Sequence, residues 1–280
     1  MRWTPGGRSS DVEDRRGAGG IGGGGMRIGL GGALVLLVLS LVFHRDFFSL
    51  LAGGGAATSD QAPAGPVEST PHEDSLVAFV SFVLDDAQNT WTGIMQQHGA
   101  PYEHATLVLF RDAVRSACGV GQEAMGPFYC PGDERLYIDL GFYDELKRRF
   151  GAPGDFAQAY VIAHELGHHI QRLTGTEAKV RRAQEQDPES ANALSVALEL
   201  QADCYAGIWG HSTNERQILE QGDVEEGLNA AAAVGDDRIQ QQTGEGVHPE
   251  SFTHGSSAQR VGWFRRGFER GRMEDCDTFR

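Results

Sequence analysis

The chain has 280 residues, of which 40% are hydrophobic and 9% aromatic, so it can fill the core of a folded domain and is not disordered as a whole. Its 24 basic and 39 acidic residues give a net charge of −15. This balance excludes nucleic acid as an expected partner, because nucleic-acid-binding proteins present a basic face to phosphates. The 4 cysteines are too few for a cysteine-dense miniprotein, but they allow one or two disulfides in an oxidising compartment.

The N-terminal region divides into a polar tail and an apolar segment. Residues 1–27 are rich in Gly and Arg, and we expect them to form a cytoplasmic tail. Residues 28–43 carry no charge, and together with the apolar residues that follow they predict one transmembrane signal-anchor helix over 28–51. A cleavable signal peptide, with small residues at 55–57, is disfavoured by the long stretch before it. A buried core helix is disfavoured by the flanking Gly-rich tracts. The arginines before the span predict a cytoplasmic N-terminus and an extracytoplasmic domain at the cell membrane.

The remaining chain is predicted to form one folded domain over residues 70–280, after a flexible linker over residues 52–69 that is rich in Gly, Ala and Pro. A capping box between Thr70 and Glu73 predicts the start of a long helix. Strands are expected at 105–111, 126–130 and 136–140, the last two forming a hairpin around the turn 131–134. Most of the chain after Gly141 has helical patterning. A few short strands among many helices indicate an α+β fold.

The strongest chemical signal is the sequence His164-Glu165-Leu166-Gly167-His168, in a segment with helical periodicity. Because successive helical residues turn by about 100°, the two histidines lie about 40° apart on one face and can bind one metal ion. Glu165 lies between them, where it can hold a metal-bound water without being a ligand. The alternative is an ordinary helix with two spaced histidines. We favour a Zn²⁺ site, because unpaired polar groups on so apolar a helix would be costly.

A catalytic zinc site needs a third protein ligand, and a second predicted helix supplies a candidate. Glu199 and Asp203 are spaced four residues apart in this helix, from Ser190 to about Trp209, and both can face the first helix. We predict Glu199 as the third ligand and Asp203 as the acceptor of a hydrogen bond from a ligand histidine. The alternative is two solvated acids. His169 points away from His164 and is expected to be structural.

The cysteines allow three disulfide connectivities. Cys118 and Cys130 are expected to pair, because they are close in sequence at the ends of adjacent strand segments. Cys204 and Cys276 would then form the remaining disulfide.

Several ordered motifs give the chain a resemblance to the neutral zinc metallopeptidase family of bacterial membrane-anchored proteins. These motifs are MRW and VEDRR near the N-terminus, CG near 118, GPFYCP at 126–131, AHELGHH at 163–169, ELQADCYAG at 199–207 and HGSSAQR at 254–260. More distantly, the HExxH and ExxxD pairing is similar to the gluzincin arrangement. The resemblance implies a zincin-like fold, in which an edge strand of a small sheet pairs with an extended peptide. Either 136–140 or 126–130 could be that strand.

The resemblance and the site together predict a membrane-anchored zinc metalloendopeptidase acting on a peptide or protein. Zinc would activate a water, and Glu165 would act as the general base. His254, in the HGSSAQR segment, is a candidate catalytic donor to the oxyanion, with a structural role before the following helix as the alternative. Two further alternatives are a metal-binding module without peptidase activity and a structural zinc domain. The presence of Glu165 disfavours the first, and the lack of CxxC disfavours the second.

Overall fold

The computed structural model describes residues 1–17, 67, 69–122, 126–148, 154–244 and 246–279. The predicted transmembrane segment, 28–51, and nearly all of the linker lie outside the described residues. Among the helices in these ranges, none combines the length and the apolar character needed to span a bilayer.

The strands form one four-stranded sheet and a separate hairpin, in the order β1-β2-β6-β5 and β3-β4. Strands β1, β2 and β6 are parallel to one another, whereas β5 is antiparallel to β6. The predicted hairpin around 131–134 is therefore present, and β3 and β4 form a second hairpin that the sequence pattern did not predict. The strands are β1 (Val12–Asp14), β2 (Thr106–Phe110), β3 (Ala113–Ser116), β4 (Gly119–Gln122), β5 (Phe128–Cys130) and β6 (Arg135–Asp139).

Strand β1 is a correction to the predicted domain organisation. Its pairing with β2 makes the first residues part of the sheet rather than a separate tail. A side-chain ion pair between Glu13 and Arg135 (2.7 Å) joins β1 to β6, and Trp3 packs edge-on against Phe79 at 5.3 Å between ring centroids. A single membrane crossing by 28–51 would put β1 and β2 in different compartments, where they cannot pair. The single-pass arrangement that we predicted is therefore incompatible with this sheet.

The helices account for most of the described chain and confirm the predicted helix-rich α+β class. The first begins after the N-cap Thr70, and the predicted capping box with Glu73 is present. The helices are α1 (Pro71–Gln97), α2 (Gly141–Arg148), α3 (Asp155–Leu173), α4 (Thr176–Gln186), α5 (Ala191–Glu215), α6 (Asp223–Ala233), α7 (Asp236–Thr243) and α8 (Ser257–Arg270).

Glycines allow the long helices to pack closely around the core. A Cβ added to Gly207 of α5 would lie 2.1 Å from the carbonyl oxygen of Phe264, and one added to Gly267 of α8 would lie 1.9 Å from that of Cys204. Any larger residue at these two positions would force α5 and α8 apart. The core itself is formed by β2, β6 and the apolar faces of α1, α3 and α5.

Two disulfides hold outlying segments to this framework. Cys118, in the β3–β4 turn, is bonded to Cys130 at the end of β5, and Cys204 of α5 is bonded to Cys276 near the C-terminus. This connectivity is the one that we expected from the spacing. The described residues include no free cysteine.

Candidate metal and catalytic site

The site lies between helices α3 and α5, which approach each other closely at Gly167. A Cβ on this glycine would lie 2.9 Å from both the Cα and the carbonyl oxygen of Ala202. The glycine of the HELGH sequence therefore has a packing role, because any side chain there would separate the two helices. This contact brings the histidines of α3 opposite the acids of α5.

Three side chains from these helices converge on one point. His164, His168 and Glu199 each offer one donor atom, and all three atoms lie within 4.8 Å of one another. His164 Nε2 is 3.1 Å from Glu199 Oε2, and His168 Nε2 is 3.5 Å from Glu199 Oε1. Two imidazoles and one carboxylate are a donor set that suits Zn²⁺ with one coordination position left open. The residues therefore fit the ion that the sequence predicts.

A buried hydrogen-bond network holds the His164 ring through its Nδ1 atom. His164 Nδ1 lies 2.9 Å from Asp203 Oδ1, and Asp203 has no solvent exposure. The same carboxylate accepts hydrogen bonds from Arg260 at 2.8 and 3.0 Å and from the hydroxyl of Tyr160. Such a carboxylate orients the ring and makes its other nitrogen a better ligand.

The charges of this network set the protonation of its members. Burial alone raises the pKa of Asp203, but Arg260 and His164 outweigh it, so the pKa lies below its usual value. Burial lowers the pKa of His164, whereas the negative charge of Asp203 and the hydrogen bonds that the ring donates to Asp203 and Glu199 raise it to about 10. Metal binding needs a neutral imidazole, so an incoming ion has to displace a proton from His164.

His168 has its own orienting partner. Its Nδ1 lies 2.9 Å from the side-chain oxygen of Gln171, one turn further along α3. The amide nitrogen of Gln171 donates to the carbonyl of Leu198 at 2.7 Å, which ties this partner to α5 next to Glu199. Both histidines therefore have their second nitrogen engaged, and the Nε2 atoms face the common point.

Glu165 lies beside the donor set but is not a member of it. Its side chain is 8% exposed. Burial raises the pKa of Glu165, and the nearby histidines and the backbone N–H of Tyr129 lower it by a smaller amount. A buried carboxylate whose pKa is shifted toward neutrality is suited to taking up and releasing a proton.

The donor set and Glu165 line the same cavity, which has a volume of about 800 Å³. One wall is strand β5, which contributes Phe128 and Tyr129. Because β6 lies between β2 and β5, β5 is an edge strand and β6 is not. Of the two strands considered from sequence, β5 is therefore the one at the edge of the sheet that the described residues form, and it lies beside the cavity. The cavity is also lined by His254 and Arg260.

His254 lies at the mouth of the cavity and is paired with Asp236 of α7. Its Nδ1 is 3.0 Å from Asp236 Oδ1, and the same carboxylate accepts the backbone N–H groups of Thr253, His254 and Gly255 at 2.7–3.0 Å. The hydrogen bond that the His254 ring donates to Asp236 raises the pKa of His254. The side chain is 51% exposed. The structure thus places His254 in the cavity wall, outside the set of donor atoms.

A second group of acids, Asp155, Asp223 and Glu226, also converges. The amine of Met1 lies among them, 2.8 Å from Asp155 and 3.2 Å from Asp223. A cation therefore already lies among these carboxylates, and we assign no metal to the group. Asp155 is the first residue of α3, whose N-cap is Gly154.

Arg260, Gln171 and Tyr129 belong to the site but were not predicted. Arg260 is the last residue of the HGSSAQR motif, so the motif itself was a signal, although we assigned its importance to His254. Gln171 is three residues after His168 and could have been found by helical spacing. Tyr129 lies in the GPFYCP motif, but its spatial relation to Glu165 depends on how the sheet packs.

Comparisons with known proteins identify the family of the chain. The family model "Putative neutral zinc metallopeptidase" matches residues 1–279. An uncharacterized protein of Escherichia coli K12, YpfJ, is 47% identical over 291 residues, which cover 100% of this chain and 99% of that protein. An uncharacterized protein of Mycobacterium bovis, Mb2605, is 45% identical over 189 residues, which cover 64% of this chain and 63% of that protein. No solved structure matches.

The family match defines the class of this protein, a zinc peptidase. The family match extends over nearly the whole chain, and the chain therefore belongs to the neutral zinc metallopeptidase family. Zn²⁺ is accordingly its cofactor, and a peptide or protein is the class of substrate on which a peptidase acts.

Proposed function

We propose that this protein is a zinc-dependent endopeptidase in which His164, His168 and Glu199 hold the metal and Glu165 is the general base. The observation that carries the proposal is the convergence of these three donors within 4.8 Å, with a buried carboxylate next to them that is not a donor. When bound, Zn²⁺ lowers the pKa of a water and polarises the peptide carbonyl.

Glu165 has the position and the proton affinity for general base catalysis. Its carboxylate takes the proton of the attacking water and delivers it to the leaving amine. Burial raises the pKa of Glu165, which makes its carboxylate a stronger base than an exposed glutamate.

Strand β5 is the proposed binding edge for an extended peptide. Its far side is unpaired in the sheet order, and it lines the cavity that contains Glu165. Backbone pairing with an edge strand binds a peptide in a fixed direction and is largely independent of sequence. This arrangement favours cleavage within a chain over removal of a terminal residue.

His254 is the proposed donor to the oxyanion. Its Nδ1 is engaged by Asp236 at 3.0 Å, which leaves Nε2 as the ring nitrogen available to a ligand. Replacement of His254 by Ala should retain zinc and lower kcat by about 10²–10³-fold with little change in KM. A variant that turns over like the parent would make His254 a structural residue.

Association with the cell membrane through residues 28–51 is a proposal from sequence alone. The pairing of β1 with β2 constrains it, since any insertion of this segment has to leave residues 1–17 and the peptidase domain on one side.

The experiment uses the full-length, zinc-loaded protein with dye-labelled denatured casein as the probe. Glu165→Gln should bind one zinc per chain and release no dye, because it keeps the ligands and lacks the base. Glu199→Ala is the matched control, and it should lose zinc as well as activity. Hydrolysis by Glu165→Gln at the parent rate would refute the base assignment. Zinc retained by Glu199→Ala at parent affinity would refute the third ligand.

A further inference from the structure

The metal site leaves one histidine of the HELGHH sequence unexplained. His169 is adjacent to His168 but lies on another face of α3, and its side chain has no solvent exposure. It is four residues after Glu165, so these two residues lie on one face, one turn apart, about 100° from the face that carries His164 and His168. The second face meets strand β5.

The hydrogen bonds of His169 define which nitrogen carries the proton. Its Nε2 is 2.7 Å from the carbonyl oxygen of Glu103, which can only accept, so Nε2 is the donor. In the neutral ring Nδ1 is then an acceptor, and it lies 3.0 Å from the hydroxyl of Tyr129. The phenol of Tyr129 therefore donates to His169.

Tyr129 also lies close to Glu165. Its backbone N–H faces the carboxylate of Glu165, and both residues line the cavity. The two partners, Glu165 and His169, are one helical turn apart, about 5.4 Å along the axis. A single residue of β5 thus lies over one turn of α3, with its hydroxyl bonded to His169 and its backbone close to Glu165.

We propose that Tyr129 and His169 hold edge strand β5 in position against Glu165, and that the hydroxyl–imidazole hydrogen bond is a positioning element of the peptidase site. This inference rests on the proposed function, since β5 is the strand that would carry the substrate. A shift of about 1 Å between a base and its substrate can lower a rate by about 100-fold. One hydrogen bond that prevents such a shift therefore affects catalysis more than stability.

Other contacts keep β5 folded when this hydrogen bond is removed. The disulfide from Cys130 to Cys118 holds the end of the strand. An ion pair between Arg172 and Glu134, at 3.3 Å, joins the following turn to α3. The removal of the Tyr129 hydroxyl should therefore loosen the strand without unfolding it.

The experiment compares Tyr129→Phe with Tyr102→Phe in the full-length zinc-loaded protein. Tyr102 is a matched control, because its ring packs edge-on against the same His169, at 5.8 Å between centroids, while its hydroxyl donates to Gln88 at 3.3 Å. Each variant removes the hydroxyl of a tyrosine whose ring packs against His169, and only Tyr129 donates its hydroxyl to that histidine. The measurements are zinc content, kcat and KM on labelled casein, and amide hydrogen exchange of the segment containing β5.

Tyr129→Phe should keep its zinc, lose about 10–100-fold in kcat and exchange the β5 amides faster, whereas Tyr102→Phe should match the parent in all three. The proposal is overturned if Tyr129→Phe exchanges and turns over like the parent, or if both variants show the same losses. Hydrogen exchange needs no substrate, so it tests the role of Tyr129 in holding β5 independently of the proposed peptidase activity. If the parent cleaves no peptide, the proposed function fails, and the exchange of β5 alone decides whether Tyr129 holds the strand.

Discussion

Asp203 connects the stability of the fold to the metal site, and its replacement by Asn should affect both. The carboxylate is fully buried and bonds Arg260 at 2.8 Å and His164 at 2.9 Å. Asn has nearly the same shape but no charge. The variant therefore leaves the guanidinium of Arg260, which is 3% exposed, without its main counter-ion, since its next acid is Glu199 at 3.8 Å.

The size of the two effects follows from this geometry. Breaking a buried ion pair by removing one partner costs about 3–5 kcal/mol. For a domain of this size, each kcal/mol lowers the melting temperature by about 2–4 °C, so the expected decrease is about 6–20 °C. The loss of a carboxylate that orients a ligand histidine should weaken zinc binding by about 10–100-fold, which is about 1.4–2.8 kcal/mol.

A double variant provides the control. In Asp203→Leu/Arg260→Met, both charges are replaced by apolar groups of similar size, which is often neutral for stability. The double variant should therefore recover much of the melting temperature, while its zinc affinity stays low because His164 has still lost its acceptor. Thermal unfolding in the presence of a chelator measures the first quantity, and zinc competition measures the second.

Two results would refute this reasoning. If Asp203→Asn has the same melting temperature as the parent in the presence of a chelator, Arg260 does not depend on Asp203 for its charge balance. If the double variant binds zinc as tightly as the parent, the carboxylate does not orient His164.

Two other predictions concern the compartment and the pH dependence. Gly6→Cys and Gly262→Cys, where a side chain meets open space, should react alike with a membrane-impermeant maleimide in intact cells, because β1 and the peptidase domain share one side. Labelling of one position alone would contradict the β1–β2 pairing. His254→Gln should destabilise the protein by less than about 1 kcal/mol, since the pair with Asp236 is half exposed. Because Asp236 raises the pKa of His254, this difference should be full below about pH 6.5 and disappear as the pH rises through the folded-state pKa. At acidic pH the stability difference should fade as Asp236 becomes protonated. This should occur below the usual pKa of an Asp, because burial raises the pKa of Asp236 but the hydrogen bond from His254 lowers it overall. Unfolding curves from pH 4 to 9 test the sign, and a difference that grows with pH would contradict it.

The parts of the site that lie within one helix could be predicted from sequence. The spacing of His164 and His168 is a property of the helix itself, and the same spacing places Glu199 and Asp203 on one face of α5. The capping box at Thr70 is equally local. These features depend on residues three or four positions apart, so the chain order specifies them before any tertiary contact forms.

Only the tertiary structure decided how these pieces meet. The pairing of β1 with β2 joins residues more than 90 positions apart, such as Val12 and Leu107, and a three-residue polar strand has no sequence period strong enough to reveal it. The choice of β5 as the free edge depends on the order of strands in the sheet, because 126–130 and 136–140 have similar patterns. Arg260 finds Asp203 across 57 positions, and Tyr129 reaches α3 only because the sheet packs there. Long-range contacts of this kind are set by the packing of whole elements, which no local pattern encodes.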